Sequence, residues 1–223
     1  LRRLSIVLPM AEKYLKALGE TLIMTTSACA VVFVTGLALA LVLTVTAPAG
    51  LAPRPRVHRT LSVLVNMFRS VPFIILLVAM LPVTRMIVGT TMGIWAAVVP
   101  LSAHLIPFFA RVSQVALNET DSGLVEAARA MGCRRWHIVR HVLLPEALPA
   151  LIGGATVTVI AMIGASAMAG AVGAGGLGDL AIRYGYERYE TAVMFNVIVI
   201  LVALVTLVQF SGERLARQFD HRR

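Results

Sequence analysis

The sequence predicts an all-α polytopic membrane protein with five transmembrane helices. Of its 223 residues, 58% are hydrophobic and only 14% are charged, and a single soluble core cannot bury that much apolar surface. Five apolar stretches reach the length of about 20 residues that crosses a hydrocarbon core. Because backbone N–H and C=O groups inside a bilayer must be hydrogen-bonded within their own segment, we expect each stretch to be a helix.

The first two of these spans need comment. The first is followed by Ala47-Pro48-Ala49, which loosely fits a signal cleavage site, and the second is interrupted by Arg69. A signal peptide has an apolar core of roughly 7–15 residues, whereas the first run has 24, so a retained span is the better interpretation. In order, the predicted spans are Leu22–Val45, Leu61–Leu81, Met86–Ala110, Ala147–Gly178 and Thr191–Gly212.

Positive charge is distributed unevenly among the loops. Twelve arginines fall in Arg54–Arg59, in Arg111–Arg140 and in the tail after Gly212, whereas seven basic residues fall in the remaining loops and the N-terminal stretch. The positive-inside rule then predicts a cytoplasmic C-terminus and an external N-terminus. Four of those seven basic residues precede the first span and act against this orientation.

We expect one membrane domain with two short flanks. Residues 1–17 form a periplasmic or interfacial N-terminal segment, residues 18–210 form the membrane domain, and residues 211–223 form a basic cytoplasmic tail. The sizeable polar segment, about residues 113–146, separates the third and fourth spans, and a cytoplasmic partner would bind there. The net charge of +9 comes mainly from the loops between spans, so it does not indicate nucleic-acid binding.

Two motifs are better explained by structure than by ligand chemistry. Gly173–Gly178 fits the dinucleotide pattern G-x-G-x-x-G, but that site also needs a preceding strand and an acidic residue about 20 positions later. The run of small residues Gly164–Ala171 just before it favours close helix packing or the lining of a path. His137 and His141 have metal-ligand spacing, but arginines surround them and no third ligand follows, so no metal site is predicted.

Two common energy-coupling features of transport proteins are absent from the sequence. The only lysines are Lys13 and Lys16, and neither stands in the G-K-[ST] context of a P-loop. No Asp or Glu lies between Glu20 and Glu119 or within the last two spans, whereas proton-driven carriers usually place a carboxylate there. The sequence therefore predicts a non-catalytic chain with neither an ATP-binding P-loop nor the intramembrane carboxylate of a proton-driven carrier.

Arg69 is the one Asp, Glu, Lys or Arg residue within the predicted spans. It lies about 12 Å into the second span at 1.5 Å per residue, where an unpaired charge costs several kcal/mol. Pro72 interrupts the helical hydrogen bonds just after it, so we expect a bend at this step. Two roles stay open for Arg69, a structural anchor near the cytoplasmic surface and the lining of a central path.

The polar segment contains a predicted short exposed helix, Leu124–Gly132. Asp121 or Ser122 can cap its start. Glu126 lies in its first turns, where the helix dipole favours an anion, and Gly132 can end it in the left-handed conformation. The alanines leave a slim face that could enter a groove on another protein.

This loop resembles the EAA loop of bacterial ABC importer permeases. The resemblance rests on Glu126-Ala127-Ala128, on Gly132, and on the trailing Ile138 and Leu144-Pro145. It implies a type I ABC importer transmembrane domain whose EAA helix docks into a cytoplasmic ATPase. The ATPase-coupling residues would be Glu126, Ala127, Ala128 and Gly132.

A closer resemblance, to the methionine importer permeases, covers almost the whole chain. It implies five spans, an external N-terminus, a homodimer, two ATP-binding cassette ATPase subunits and a substrate-binding lipoprotein in a bacterial inner membrane. The segments that carry it are Phe68–Leu77, Val88–Thr90, Ser166–Gly178 and Tyr184–Tyr186.

The same resemblance implies functional residues and a cargo. Met168 would be the periplasmic gate. Independently of the resemblance, the residues themselves make Arg69, Ser166 and Gly170 candidates for lining the path or packing helices. No cofactor is expected on this chain, because ATP and Mg would be bound by the ATPase. The expected cargo is L- and D-methionine; the alternatives are another small solute carried by an ABC permease, an ATP-independent carrier, and a purely structural membrane anchor.

Overall fold

The structure, a computed structural model, describes residues 4–219, with side chains from residue 10 onward. This part of the chain contains ten α-helices, two π-helical segments and no strand, which confirms the all-α prediction. The α-helices are α1 (Leu4–Thr46), α2 (Pro55–Ser70), α3 (Phe73–Ala79), α4 (Leu81–Val88), α5 (Ile94–Asn118), α6 (Ser122–Ala130), α7 (Arg135–Ile138), α8 (Leu144–Gly170), α9 (Gly176–Leu180) and α10 (Thr191–Gln218). The π-helical segments are Val139–Leu143 and Ala181–Tyr186.

Four stretches of the described chain are long and apolar enough to cross a membrane, and the bent pair α2 and α3 would make a fifth. The four are Met10–Thr46, Ile94–Asn118, Arg135–Gly170 and Thr191–Gln218. A multi-pass membrane protein is therefore what both the sequence and the helices indicate.

The helices extend beyond several predicted span ends, but in the third and fourth spans a break lies inside the predicted range, and glycine explains both breaks. The third span begins at Ile94 rather than Met86, because Gly89 (φ 82°) and Gly93 (φ 92°) separate α4 from α5. The fourth ends at Gly170 rather than Gly178, because the chain turns through glycines with positive φ before α9 begins. Glycine adopts this left-handed backbone at low cost, so both breaks occur where the sequence supplies it.

The second predicted span is interrupted at Pro72. Helix α2 ends at Ser70, α3 begins at Phe73, and the two helices are bent by 100° at this break. Proline lacks a backbone N–H and cannot continue the hydrogen-bond ladder. The predicted bend is confirmed, although it is a complete break rather than a kink within one helix.

Threonines in the apolar helix α1 hydrogen-bond to their own backbone. The hydroxyls of Thr25, Thr26 and Thr35 each donate to the carbonyl four residues earlier, over 2.6–2.7 Å. An unsatisfied hydroxyl in hydrocarbon would be costly. This local bonding explains how a threonine-containing stretch can remain part of a span.

The predicted flanks are continuous with long helices. Residues 4–17 of the N-terminal segment belong to α1, and residues 211–218 of the predicted tail belong to α10. Arg2, Arg3, Arg222 and Arg223, which entered the charge count, lie outside the described residues.

The chain divides into two compact units. In the first, α9 and α10 pack on the early turns of α1 around a core of Ala17, Leu177, Leu180, Val193 and Val197. In the second, the buried core is Ala40, Ala116, Leu117, Val139, Leu143, Ala147 and Leu151. The first unit comprises Leu1–Ala30, Val71–His104 and Val159–Val208, and the second comprises Val31–Ser70, Leu105–Thr158 and Gln209–Arg223.

Candidate functional site

The predicted helix of the polar loop is present as α6, and its caps are those that the sequence indicates. Asp121 Oδ1 accepts a hydrogen bond from the Gly123 N–H over 2.8 Å, which caps the start of the helix. Gly132 is left-handed, with φ 76°. The N–H of Cys133 reaches back to the carbonyl of Ala128 over 3.1 Å, a bond that closes the last turn.

One face of α6 is turned into the second unit and the other is exposed. Ala128 is buried, and Val125 packs against the core of this unit. Leu124, Ala127 and Met131 are exposed. Their spacing of three and four residues puts them on one face, so α6 and its C-cap Met131 present an apolar stripe that no described residue covers.

The four predicted coupling residues, of which three lie on α6 and Gly132 follows it, differ in exposure. Glu126, Ala127 and Gly132 are exposed, whereas Ala128 is only 4% exposed. Ala128 therefore packs α6 against the core of its own unit, whereas Glu126 and Ala127 are accessible to another protein.

A second contact, which no local pattern in the sequence indicates, also holds α6 in place. The Arg129 Nη2 donates to the backbone carbonyl of Gly50 over 3.0 Å, across 79 residues of sequence. Gly50 belongs to the turn after α1, and a cavity of about 480 Å³ lies between this turn and α6. Arg129 directly follows the E-A-A residues and is easy to single out in the sequence. Its partner is a backbone carbonyl of a glycine in another loop, so the sequence gives no sign of the pairing.

The basic segment after α6 leads into the membrane through α7 and a π-helical turn. The rings of His137 and His141 are stacked, with centroids 5.7 Å apart, and His141 Nδ1 lies 3.2 Å from the carbonyl of His137. Within the described residues, no three His, Cys, Asp or Glu side chains are grouped so as to hold a metal ion. The two histidines are thus accounted for by contacts with each other and with their own helix.

Met168, the predicted gate, is 53% exposed near the end of α8. Ser166 differs, because it is buried and its hydroxyl donates to the carbonyl of Ile163 over 2.7 Å. Gly170 is also buried, and a Cβ there would collide with the backbone of Gly178 and Asp179. Of the two roles predicted for Ser166 and Gly170, these contacts favour helix packing.

In the glycine-rich segment Gly173–Gly178, side chains of α1 accept the backbone hydrogen bonds that a ligand would otherwise accept. Two backbone N–H groups that could face a ligand are already bonded: Gly176 donates to Glu20 Oε2 over 2.8 Å, and Leu177 donates to Thr21 Oγ1 over 2.9 Å. A Cβ on Gly178 would overlap the backbone of Ala167. Close packing, as predicted, accounts for this segment, and side chains 156 residues away cap the short helix α9.

Arg69 lies in the last turn of α2, exposed, two residues before the break at Val71–Pro72. The ion pairs of the described residues do not include it. Its role in anchoring or in lining a path stays a prediction.

Similarities to known proteins extend over most of the chain. Residues 36–223 match the family model of the binding-protein-dependent transport system inner membrane component. A probable D-methionine transport system permease protein of Vibrio cholerae is 48% identical over 212 residues, covering 95% of this chain and 94% of that protein. The methionine import system permease protein of Bacillus subtilis is 43% identical over 166 residues, covering 74% and 75%.

Solved structures of ABC transporters are also similar to this chain. A chain of the MetNI methionine ABC transporter, in a structure of its inward-facing conformations, superposes with a TM-score of 0.94 and 50% identity, covering 96% of this chain and 99% of that chain. An amino acid ABC transporter crystallised with histidines shares the fold at a TM-score of 0.72 and 21% identity, over 99% and 98%. With its apolar helices and this sequence similarity, the chain belongs to the family of binding-protein-dependent transport system inner membrane components.

Proposed function

We propose that this chain is the permease subunit of an ATP-driven methionine importer. The observation that carries the proposal is α6, a capped helix between two spans that exposes the apolar stripe Leu124, Ala127 and Met131. Spacing of this kind is how an amphipathic helix enters a groove on a partner protein. The methionine cargo is supported by the 48–52% identity to the first relatives, whose names specify D-methionine transport.

In this proposal two copies of the chain form the path and two ATPase subunits bind from the cytoplasm. ATP and Mg are bound by the ATPases, and this chain carries no cofactor. A substrate-binding protein delivers methionine on the outer side, where the N-terminus also lies. The C-terminus is cytoplasmic, as the loop charges predict.

Movement of α6 is the proposed link between ATP and the path. Arg129 and Ala128 fix α6 to the second unit, so displacement of the helix by an ATPase would be transmitted to the spans rather than absorbed in a loose loop. ATP then shifts a balance between inward-open and outward-open states, because it binds one of them better. Met168 from each copy closes the path on the outer side.

The test is purification of the tagged chain from its native host in mild detergent, followed by reconstitution with the proteins that accompany it. We expect a P-loop ATPase in equal amount and ATP-dependent uptake of labelled methionine that unlabelled methionine suppresses. If an ATPase co-purifies but methionine is not taken up, the role as an ABC permease stands and methionine as its cargo is overturned. Absence of any ATPase, in detergents that keep comparable complexes intact, would overturn the proposal itself.

A further inference from the structure

A groove of about 380 Å³ opens beside the end of α1, within the second unit. Its apolar wall is formed by Leu41, Val42 and Val45 of α1 and by Val139 of the π-helical turn. Two arginines, Arg54 and Arg135, also line the groove. A volume of this size is within the range of small-molecule sites.

Neither arginine takes part in an ion pair within residues 4–219. The three ion pairs among the described residues lie elsewhere, at Lys16–Glu20, Asp179–Arg183 and Glu213–Arg217. The backbone N–H of Arg54 donates to the carbonyl of Thr46 over 3.0 Å, which holds the loop against the last turn of α1. Two exposed arginines thus line the groove, and no carboxylate of the described part of the chain forms an ion pair with either of them.

The depth of the groove in the membrane follows from α1. The most apolar 18-residue window of this helix has a mean hydropathy of 2.6, and its uncharged apolar run ends at Val45, so we place the change from hydrocarbon to headgroups at this end of α1. The wall from Leu41 to Thr46 extends about 7.5 Å below that level at 1.5 Å per residue. Trp136, 62% exposed, also lines the groove, and tryptophan is enriched at this level of a membrane.

We propose that this groove binds one anionic phospholipid. Its phosphate lies between Arg54 and Arg135, and the first part of an acyl chain lies along Leu41, Val42 and Val45. Guanidinium groups form strong paired hydrogen bonds to phosphate, and basic pockets at the ends of transmembrane helices bind lipid headgroups. A zwitterionic lipid fits less well, because its ammonium group would approach two unpaired cations. The proposal does not depend on the cargo or on the energy source.

The experiment uses the complete complex that co-purifies with the chain, placed in nanodiscs. One set contains phosphatidylglycerol with a photoactivatable acyl chain, and the other contains phosphatidylcholine with the same chain at equal mole fraction. After illumination, lipid adducts are located by peptide mass spectrometry. We expect adducts on the peptides around Val42 and Val139, with a several-fold excess for phosphatidylglycerol; equal yields from the two lipids would overturn the proposal.

Charge removal identifies the phosphate site. Each arginine near a lipid surface contributes about fivefold in binding, so Arg54→Gln with Arg135→Gln should lower the phosphatidylglycerol adduct at least tenfold. The matched control is Arg56→Gln with Arg134→Gln, which removes two neighbouring exposed arginines that do not line the groove. An equal loss in the control would mean general attraction to a basic surface and would overturn a defined site.

Two further arms address the acyl chain and free phosphate. Val42→Trp should fill the apolar wall and reduce the adduct with both arginines present, whereas Val34→Trp, on an exposed residue two turns earlier, should not. Unchanged labelling in Val42→Trp would contradict the proposal.

Inorganic phosphate at millimolar concentration should not reduce labelling, and complete competition would show an anion site rather than a lipid site. No adduct at the groove in the complete complex, with adducts elsewhere on α1, would show that a protein subunit covers the groove and would overturn the proposal.

Discussion

Thr21 and Thr25 show how two similar side chains on one helix have different consequences. Both are buried, at 2% and 4% exposed. Thr21 accepts from the N–H of Leu177 at the start of α9, whereas Thr25 donates to the carbonyl of Thr21 within α1. The Thr21 hydroxyl thus joins α1 to α9, whereas the Thr25 hydroxyl is bonded only within its own helix.

Replacing Thr21 by valine should destabilise the protein by about 1–3 kcal/mol, because the buried N–H of Leu177 loses its acceptor. Thr25→Val is the matched control, since no other group loses a partner, and it should be nearly neutral. Thermal unfolding of the two variants in the same detergent tests this. Equal unfolding temperatures would mean that the Thr21 bond does not hold α9 in place.

At the scale of elements, α6 owes its position to contacts on one face and its proposed function to the other. Ala127→Trp should fill the exposed stripe and lower ATP-dependent uptake at least tenfold, because a groove that accepts alanine has no space for an indole. Uptake by reconstituted complex is the measurement. Ala11→Trp, at an exposed alanine of α1, controls for the added indole; normal uptake with Ala127→Trp would exclude docking through this stripe.

The contact between the end of α8 and α9 depends on the absence of a side chain. A Cβ at Gly178 would overlap the backbone of Ala167, whereas a Cβ at Gly164 has no atom within 4 Å. Gly178→Ala should cost about 1–3 kcal/mol through overpacking. Gly164→Ala should be neutral or stabilising by up to about 1 kcal/mol, because alanine favours a helix.

Thermal unfolding of the two glycine variants separates these effects. If both variants unfolded at the same temperature as the unchanged chain, α8 and α9 would be less tightly packed than the structure shows. If both were destabilised equally, helix propensity and packing could not be distinguished at these positions, and the close contact at Gly178 would not be supported.

The elements that could be predicted are those that depend on local properties. Spans follow from runs of apolar residues, the ends of α6 from Asp121 and Gly132, and the break after α2 from Pro72. The other breaks were not predicted, because a glycine permits a left-handed turn without requiring one. The π-helical segments, which have no composition of their own, were not predicted either.

For the molecule as a whole, the contacts that could not be predicted join distant parts of the sequence. Glu20 and Gly176 are 156 residues apart, and Arg129 and Gly50 are 79 apart. Hydropathy and helix periodicity describe each element separately, and they contain no information about which carbonyl or N–H a side chain will meet. Among the candidate site residues, the sequence predicted the composition of α6 but not that Ala128 would be buried and its neighbours exposed.

The proposed gate can be tested in the assembled transporter. Met168→Ala should leave an opening on the outer side and raise methionine flux across proteoliposomes without ATP several-fold, because the barrier would lose the side chain proposed to close it. Met86→Ala, at a methionine that is 86% exposed, is the matched control. Unchanged passive flux in Met168→Ala, with ATP-dependent uptake retained, would place the gate elsewhere.

The two cysteines of the chain differ in accessibility in a way that serves spectroscopy. Cys29 is buried and Cys133 is exposed, three residues after the end of α6. A maleimide dye that modifies only accessible thiols should therefore attach one reporter per chain beside the EAA helix, without any engineered residue. If donor and acceptor maleimides are applied together, the proposed dimers that take up one of each report the separation of the two loops during the ATP cycle as energy transfer.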